Sequence, residues 1–206
     1  LGTVYHTADW KLDRTPYIGK PADASRLAAI GDEGVLGLVC DSTNAMRDGE
    51  SPSETDVAES IAQIVAKAPF RVVVTTFSSN VARIQACAEA ARRSGRRLVV
   101  AGRALHRVIQ VAIETGYLPK DFTWLDQQQF KYLKREEIVL LCTGSQGEPR
   151  AAMARIADFE HPDVSLDKGD LVLFSSRAIP GNEKAIGHIQ NALVRSGCEI
   201  LTDSDA

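Results

Sequence analysis

Three short runs of this chain are apolar at every position: Val72-Val73-Val74, Leu98-Val99-Val100 and Val139-Leu140-Leu141. A strand with one face in water alternates apolar and polar residues. A strand without a polar side must be covered on both faces, as in a parallel sheet between two layers of helices. Four more runs extend the series, giving expected strands at 2–6, 35–40, 71–76, 97–101, 138–142, 170–174 and 198–201. Helical periods fall between them. Ser53 is a candidate N-cap for a helix with Val57, Ile61, Ile64 and Val65 on one face. Asn80 opens the next, with Val81, Ile84, Ala88 and Ala91, and Gly95 ends it. Leu105, Val108, Ile109, Ala112 and Ile113 line a third that stops at Gly116. Ile186, Ile189 and Leu193 line the last, which stops at Gly197. Strand–helix alternation of this kind predicts right-handed crossovers and an α/β, doubly wound, mostly parallel sheet. Segment 117–137 is less regular and reads as a connection with one short helix.

Several classes are excluded by composition. The 206 residues are 44% hydrophobic and 25% charged, which suits neither a disordered chain nor a collagen-like repeat. No apolar run reaches the roughly 18 residues of a spanning helix. With 24 basic and 27 acidic residues the formal charge is −3, so bulk electrostatics give no support to a nucleic-acid binder. Cys40, Cys87, Cys142 and Cys198 lie far apart in apolar surroundings without a CxxC pair. They read as buried, reduced thiols of a cytoplasmic protein. The chain starts at Leu1, without an initiator Met and almost directly on an apolar run, and so reads as part of something longer. The polar stretch Ala45–Ser53 is the expected domain boundary.

In an open α/β sheet, ligands bind beyond the C-terminal strand ends. Five such ends carry small polar residues: His6-Thr7-Ala8-Asp9, Asp41-Ser42-Thr43-Asn44, Phe77-Ser78-Ser79-Asn80, Thr143-Gly144-Ser145-Gln146-Gly147-Glu148, and Ser175-Ser176-Arg177 followed by Pro180-Gly181-Asn182. Three of these loops are expected to lead straight into a helix. Free N–H groups at a helix start favour an anion, and Ser, Thr and Gly let a phosphate approach. Any one loop alone reads as plain capping; three converging on one edge favour a phosphate. Neither GxxxxGK[ST] nor GxGxxG occurs. Asp9 and Asp41 sit where carboxylates can bind a metal or orient a ligand, although Asp also commonly forms turns. The four histidines, His6, His106, His161 and His188, show no ligand spacing, with His106 and His188 expected inside helices. This chain alone is therefore not expected to complete a zinc site. Basic residues gather at Arg92, Arg93, Arg96, Arg97, Arg103 and Arg107, and at Lys131, Lys134 and Arg135. The Arg92–Arg97 group reads as a solvated helix end.

His6-Thr7-Ala8-Asp9-Trp10-Lys11-Leu12-Asp13, Cys40-Asp41-Ser42-Thr43-Asn44-Ala45, Thr75-Thr76-Phe77-Ser78-Ser79-Asn80, Thr143-Gly144-Ser145-Gln146-Gly147-Glu148-Pro149 and Ser175-Ser176-Arg177-Ala178-Ile179-Pro180-Gly181-Asn182-Glu183 follow one another in an order that resembles the bacterial ribonuclease J family, in the beta-CASP branch of the metallo-beta-lactamase hydrolases. The resemblance covers the whole chain. It implies a two-zinc ribonuclease that cuts RNA internally and also degrades it from a 5′-monophosphate end, is cytoplasmic and forms homo-oligomers. Asp9 matches the family's metal-bridging aspartate, and Asp41 the acidic residue of its first beta-CASP motif. Ser78, Ser79 and Asn80 match the loop near the RNA 5′ end, and Ser145, Gln146, Ser176 and Arg177 fall in loops facing RNA or the active site. Ala8 replaces a frequent Gly, and Trp10 a frequent Phe. The family's HxHxDH motif would lie before Leu1 and its HVSGH motif just after Asp203-Ser204-Asp205-Ala206. The implied layout is thus residues 1–45 as the end of a lactamase domain and 46–206 as a beta-CASP domain cut before its last motif, inactive alone. A different reading of the same residues is a free-standing, flavodoxin-like α/β domain holding a small phosphorylated ligand.

Overall fold

The computed structural model describes residues 1–43, 45–46 and 48–202. Asn44 and residues 203–206, which the motif reading included, lie outside the described residues. The chain divides into two compact units, Leu1–Val57 and Ala58–Ala206, the division falling a few residues past the polar stretch Ala45–Ser53.

The first unit is thinly built. Strands β1 (Val4–His6) and β2 (Gly37–Val39) pair in parallel, and helix α1 (Ala24–Asp32) lies between them in sequence. Asp23 caps α1, its carboxylate accepting the Arg26 N–H at 2.9 Å. No α1 residue is buried, and Val4, Leu36, Leu38 and Val39 are all exposed. Cys40, expected inside, is exposed, as are Leu38 and Val39 just before it on β2.

The second unit holds the core. Six strands, β3 (Val72–Thr75), β4 (Arg97–Ala101), β5 (Leu125–Asp126), β6 (Ile138–Cys142), β7 (Leu171–Phe174) and β8 (Glu199–Leu201), form one sheet in the order β5-β4-β6-β3-β7-β8. Every pairing is parallel. The continuously apolar strands are central, as expected: each residue of β3 and β6 is buried. Helix α2 (Glu54–Lys67) enters this unit, and α3 (Val81–Arg93), α4 (Arg103–Glu114), α5 (Ala152–Ala157) and α6 (Glu183–Arg195) complete it. Val73, Val99, Leu140, Val172 and Phe174 pack with α5 and α6 through Met153, Ile156, Ile186, Ile189 and Leu193. Their strand neighbours Val72, Val74, Leu98, Val100, Val139 and Leu141 point to the other face by the two-residue period of a strand. There α3 and α4 bury Ile84, Cys87, Leu105 and Ile109. The sheet is thus doubly wound.

Helix ends follow the expected chemistry. Ser53 Oγ accepts the Asp56 N–H at 3.0 Å and Asp56 returns a bond to the Ser53 N–H, a reciprocal cap. Gly95, Gly116 and Gly197 close α3, α4 and α6 with φ of 68°, 79° and 88°. In each case the next N–H reaches back to a carbonyl five residues earlier: Arg96 to Ala91, Tyr117 to Ala112 and Cys198 to Leu193.

Segment 117–137 departs from expectation. It holds the two-residue strand β5 and two 3-10 helices, Gln127–Tyr132 and Arg135–Glu137, rather than one short helix. Phe130 anchors it in the core. Among the described residues no helix is long and apolar enough to cross a membrane.

Candidate nucleic-acid interface

Central strands β6, β3 and β7 are neighbours, so the loops that follow them lie side by side on the C-terminal edge of the sheet. Three of the five predicted polar strand ends therefore meet in the second unit. They are joined by hydrogen bonds. The Thr76 N–H donates to the Cys142 carbonyl at 3.2 Å, and the Ser175 N–H to the Thr75 carbonyl at 2.9 Å.

The first loop, Thr76–Asn80, ends at α3. Asn80 is its N-cap, with Oδ1 accepting the Arg83 N–H at 2.9 Å. The capping role weighed for Asn80 is thus present. Ser78 is half-buried and Ser79 exposed. Arg83, buried one turn into α3, donates from Nη1 to the Ser175 carbonyl at 2.6 Å and to Ser175 Oγ. It ties this loop to the one after β7.

The second loop, Thr143–Ala151, turns back onto α5. The Thr143 carbonyl accepts the Met153 N–H at 2.9 Å, and Thr143 Oγ1 the Ala152 N–H at 3.3 Å. Of the loops expected to run straight into a helix this one does so least, because α5 has only six residues and starts at Ala152. Gly147 has φ 78°, and a Cβ there would lie 2.6 Å from Ala185 Cβ and 2.7 Å from the Ala185 carbonyl carbon. Only glycine lets this loop press so closely on α6.

Two buried polar residues mark the loop. Ser145 is 2% exposed and its Oγ has no hydrogen-bond partner among the described residues. It lines a cavity of about 220 Å³ with Ser176, Glu183 and Gln190. Gln146 is 5% exposed. Its Nε2 donates to Ser176 Oγ at 3.1 Å and the Arg177 carbonyl at 2.9 Å, while Oε1 accepts the Ile179 N–H at 2.8 Å and Asn182 Nδ2 at 3.3 Å. Ser145, Gln146, Ser176 and Arg177 are thus brought together, although the Gln146 amide is turned inward.

Asp9 and Asp41 belong to the first unit. Trp10 Nε1 donates to the Asp41 carbonyl at 3.2 Å, so the two motif segments meet. Asp9 is exposed. Ala8 has φ 52°, the left-handed region where glycine is favoured, in accord with the Gly that the resembled family often has there. The Asp41 carboxylate accepts the Thr43 hydroxyl at 2.6 Å and the Thr43 N–H at 2.9 Å, and these bonds hold its pKa below the usual carboxylate value. Its observed work is a turn. For Asp13, burial pushes the carboxyl up, but the Glu54 and Thr15 N–H groups and Lys11 outweigh burial and hold it low. An open trough of about 1040 Å³ is lined by Trp10, Asp13, Cys40 and Asp41, among others. Among the described residues no three His, Cys, Asp or Glu side chains gather to hold a metal ion. One exposed carboxylate does not make a zinc site.

Three arginines of the basic cluster are engaged by neighbouring groups. Arg92 binds Glu89 at 2.6 Å and Arg93 binds Glu59 at 2.8 Å. Arg96 donates to the Phe70 carbonyl at 2.5 Å and to that of Ala68, closing the end of α2. His106 and His188 lie in α4 and α6 as expected.

Sequence reading missed a buried ionic cluster at the opposite, N-terminal edge. Asp170 is fully buried and receives Arg71 at 2.9 Å and Arg135 at 2.8 Å. The two guanidiniums stack over Phe130 and Phe70 at 4.9 and 4.2 Å from the ring centroids. An Asp just before an apolar strand is the one available signal, and it reads equally well as a turn.

Residues 69–193 match the family described as "Ribonuclease J, beta-CASP domain". Ribonuclease J of Sinorhizobium meliloti is 52% identical over 206 residues, which is 100% of this chain and 36% of that protein. Ribonuclease J of Thermus thermophilus is 39% identical over 201 residues, 98% of this chain and 35% of that protein. Ribonuclease J2 of Bacillus subtilis is 37% identical over 202 residues, 98% of this chain and 36% of that protein. The chain spans about a third of the length of these curated relatives. With that match across more than half its length, on a doubly wound parallel sheet, the chain belongs to the ribonuclease J family and carries its beta-CASP domain.

Proposed function

We propose that this chain is part of a metal-dependent ribonuclease that degrades RNA from a 5′-monophosphate end and also cuts internally. The reading rests on one observation above all: three polar loops, after β6, β3 and β7, lie together on the sheet edge from which α3 and α6 start. Helix starts favour an anion, and the hydroxyls of Ser78, Ser79 and Ser176 add neutral donors beside them. Ser78, Ser79 and Asn80 would face the RNA 5′ phosphate, with Asn80 also capping α3. Ser176 and Arg177 would face the RNA chain, with Ser145 buried behind them in the same loop cluster. A small phosphorylated ligand on a free-standing domain uses the same edge, but family membership favours RNA.

Zinc is the proposed metal, in two ions, with Asp9 the ligand contributed by this chain and Asp41 an orienting residue. Residues 1–45 would form the end of the lactamase domain and 46–206 the beta-CASP domain. The full-length enzyme is proposed to be a cytoplasmic homo-oligomer, and the chain alone to be inactive.

The test uses the full-length enzyme. Ser78→Ala with Ser79→Ala should slow degradation of 5′-monophosphorylated RNA and largely spare internal cleavage, because the lost donors are specific to the end. Equal loss of both activities with a lower melting temperature would reduce the loop to a helix cap. In the same series Asp9→Ala should lower bound zinc, measured by mass spectrometry. Normal metal content would overturn the ligand assignment.

A further inference from the structure

Several polar side chains of the anion-favouring edge are buried, Thr76, Arg83, Ser145 and Gln146 among them, and Gln146 has all of its hydrogen-bonding groups committed. Gln146 is 5% exposed, and its carboxamide makes four hydrogen bonds: two donated, to Ser176 Oγ and the Arg177 carbonyl, and two accepted, from the Ile179 N–H and Asn182 Nδ2. A carboxamide has two N–H donors and two acceptor lone pairs, so this side chain is used up. Nothing remains with which to bind RNA. All four partners belong to one loop, the one after β7, and they span its length from Ser176 to Asn182.

We infer that Gln146 is a positioning residue, which holds the loop after β7 in the conformation that presents Ser176 and Arg177 to RNA. The inference rests on the ribonuclease reading above. Its physical content is preorganisation. An eight-residue polar loop between β7 and α6 would otherwise be ordered at the moment of binding, at an entropic cost to affinity. Two anchors remove that cost in advance. Arg83 fixes the loop where it begins, at Ser175, and Gln146 fixes the rest. The rigid platform for the second anchor is the Gly144–Glu148 turn: the Gln146 N–H donates to Glu148 Oε2 at 3.0 Å, and the Gly147 N–H to the Gly144 carbonyl at 3.3 Å. Pressed against Ala185 through Gly147, that turn cannot drift. No other polar side chain of ordinary type has the same reach with two donors and two acceptors on one planar group.

The variant that isolates this role is Gln146→Glu in the full-length enzyme. It keeps the size and both accepted bonds and can accept from the Ser176 hydroxyl. It places an oxygen where the Arg177 carbonyl accepts an N–H, so the bond that no longer forms is the one to Arg177. The expected result on a 5′-monophosphorylated oligoribonucleotide is a KM raised about tenfold, with a much smaller change in kcat, since the reacting groups lie elsewhere. Arg177→Gln supplies the control that a purely structural role would not satisfy. In the Arg177→Gln background, Gln146→Glu should raise KM little further, because the group it positions has gone. Gln146→Leu, which removes all four bonds, should raise KM by at least as much as Gln146→Glu among the molecules that remain folded, counted by circular dichroism. An unchanged KM in Gln146→Glu, or an equal rise with and without Arg177, overturns the inference while leaving the ribonuclease reading intact. A wild-type enzyme that does not degrade RNA at all overturns both.

Discussion

At the scale of single residues, burial separates chemically identical groups. Cys87 and Cys142 are fully buried, and desolvation pushes both thiols up to about 12. A thiol is nucleophilic only as thiolate, so both should be inert near neutral pH, whereas Cys40 is exposed to reagent. Brief treatment of the native chain with iodoacetamide at pH 8, followed by peptide mass mapping, should modify Cys40 and spare Cys87 and Cys142. Labelling of all three at equal rates would mean that the α3–β6 interface opens readily. The site residues were legible to different degrees. Asn80 could be recognised because a cap acts on an N–H three residues away. Gln146 could be singled out only as a member of a polar loop. Its partners lie 30 to 36 residues on, and no local pattern shows which way a glutamine will point.

At the scale of elements, what the sequence displayed was periodicity. The three all-apolar runs lie in strands, and the helices ending at Gly95, Gly116 and Gly197 stop there. Elements that bury little left no trace. Helix α1 has no buried residue and β5 is two residues long, while α5, though mostly buried, is only six residues and too short to show a period. The Asp170 cluster was illegible for another reason: Arg71 and Asp170 are 99 residues apart in sequence and meet only because β3 pairs with β7. That cluster ties the starts of β3 and β7 to the 3-10 turn before β6. Asp170→Ala would leave Arg71, itself largely buried, without its inner counter-charge. Removing one member of a buried ion pair commonly costs about 3–5 kcal/mol. The urea midpoint of the chain should fall accordingly, with little change in slope. A shift equivalent to less than about 1 kcal/mol would place the cluster among exposed pairs, which contribute little.

At the scale of the molecule, the two units differ in what holds them. The second has a sheet buried on both faces; the first has two three-residue strands and exposed apolar side chains at Leu36, Leu38 and Val39. Local opening follows such differences. Amide hydrogen exchange should therefore be slowest at β3 and β6, at Val73 and Leu140, and faster by orders of magnitude at the β1–β2 pair. Comparable protection in both would show the first unit to be as stable as the second. The parallel sheet has one more consequence. Because β3, β4 and β7 all run one way, α3, α4 and α6 all return the other way, and their positive dipole ends gather at a single rim. The negative ends, with Arg92, Arg93 and Arg195, gather at the opposite rim. A chain of formal charge −3 is thereby polarised by the direction of its backbone rather than by its stock of lysine and arginine. The field that any anion meets depends on which edge it approaches, and the net charge of the sequence is a poor guide to it.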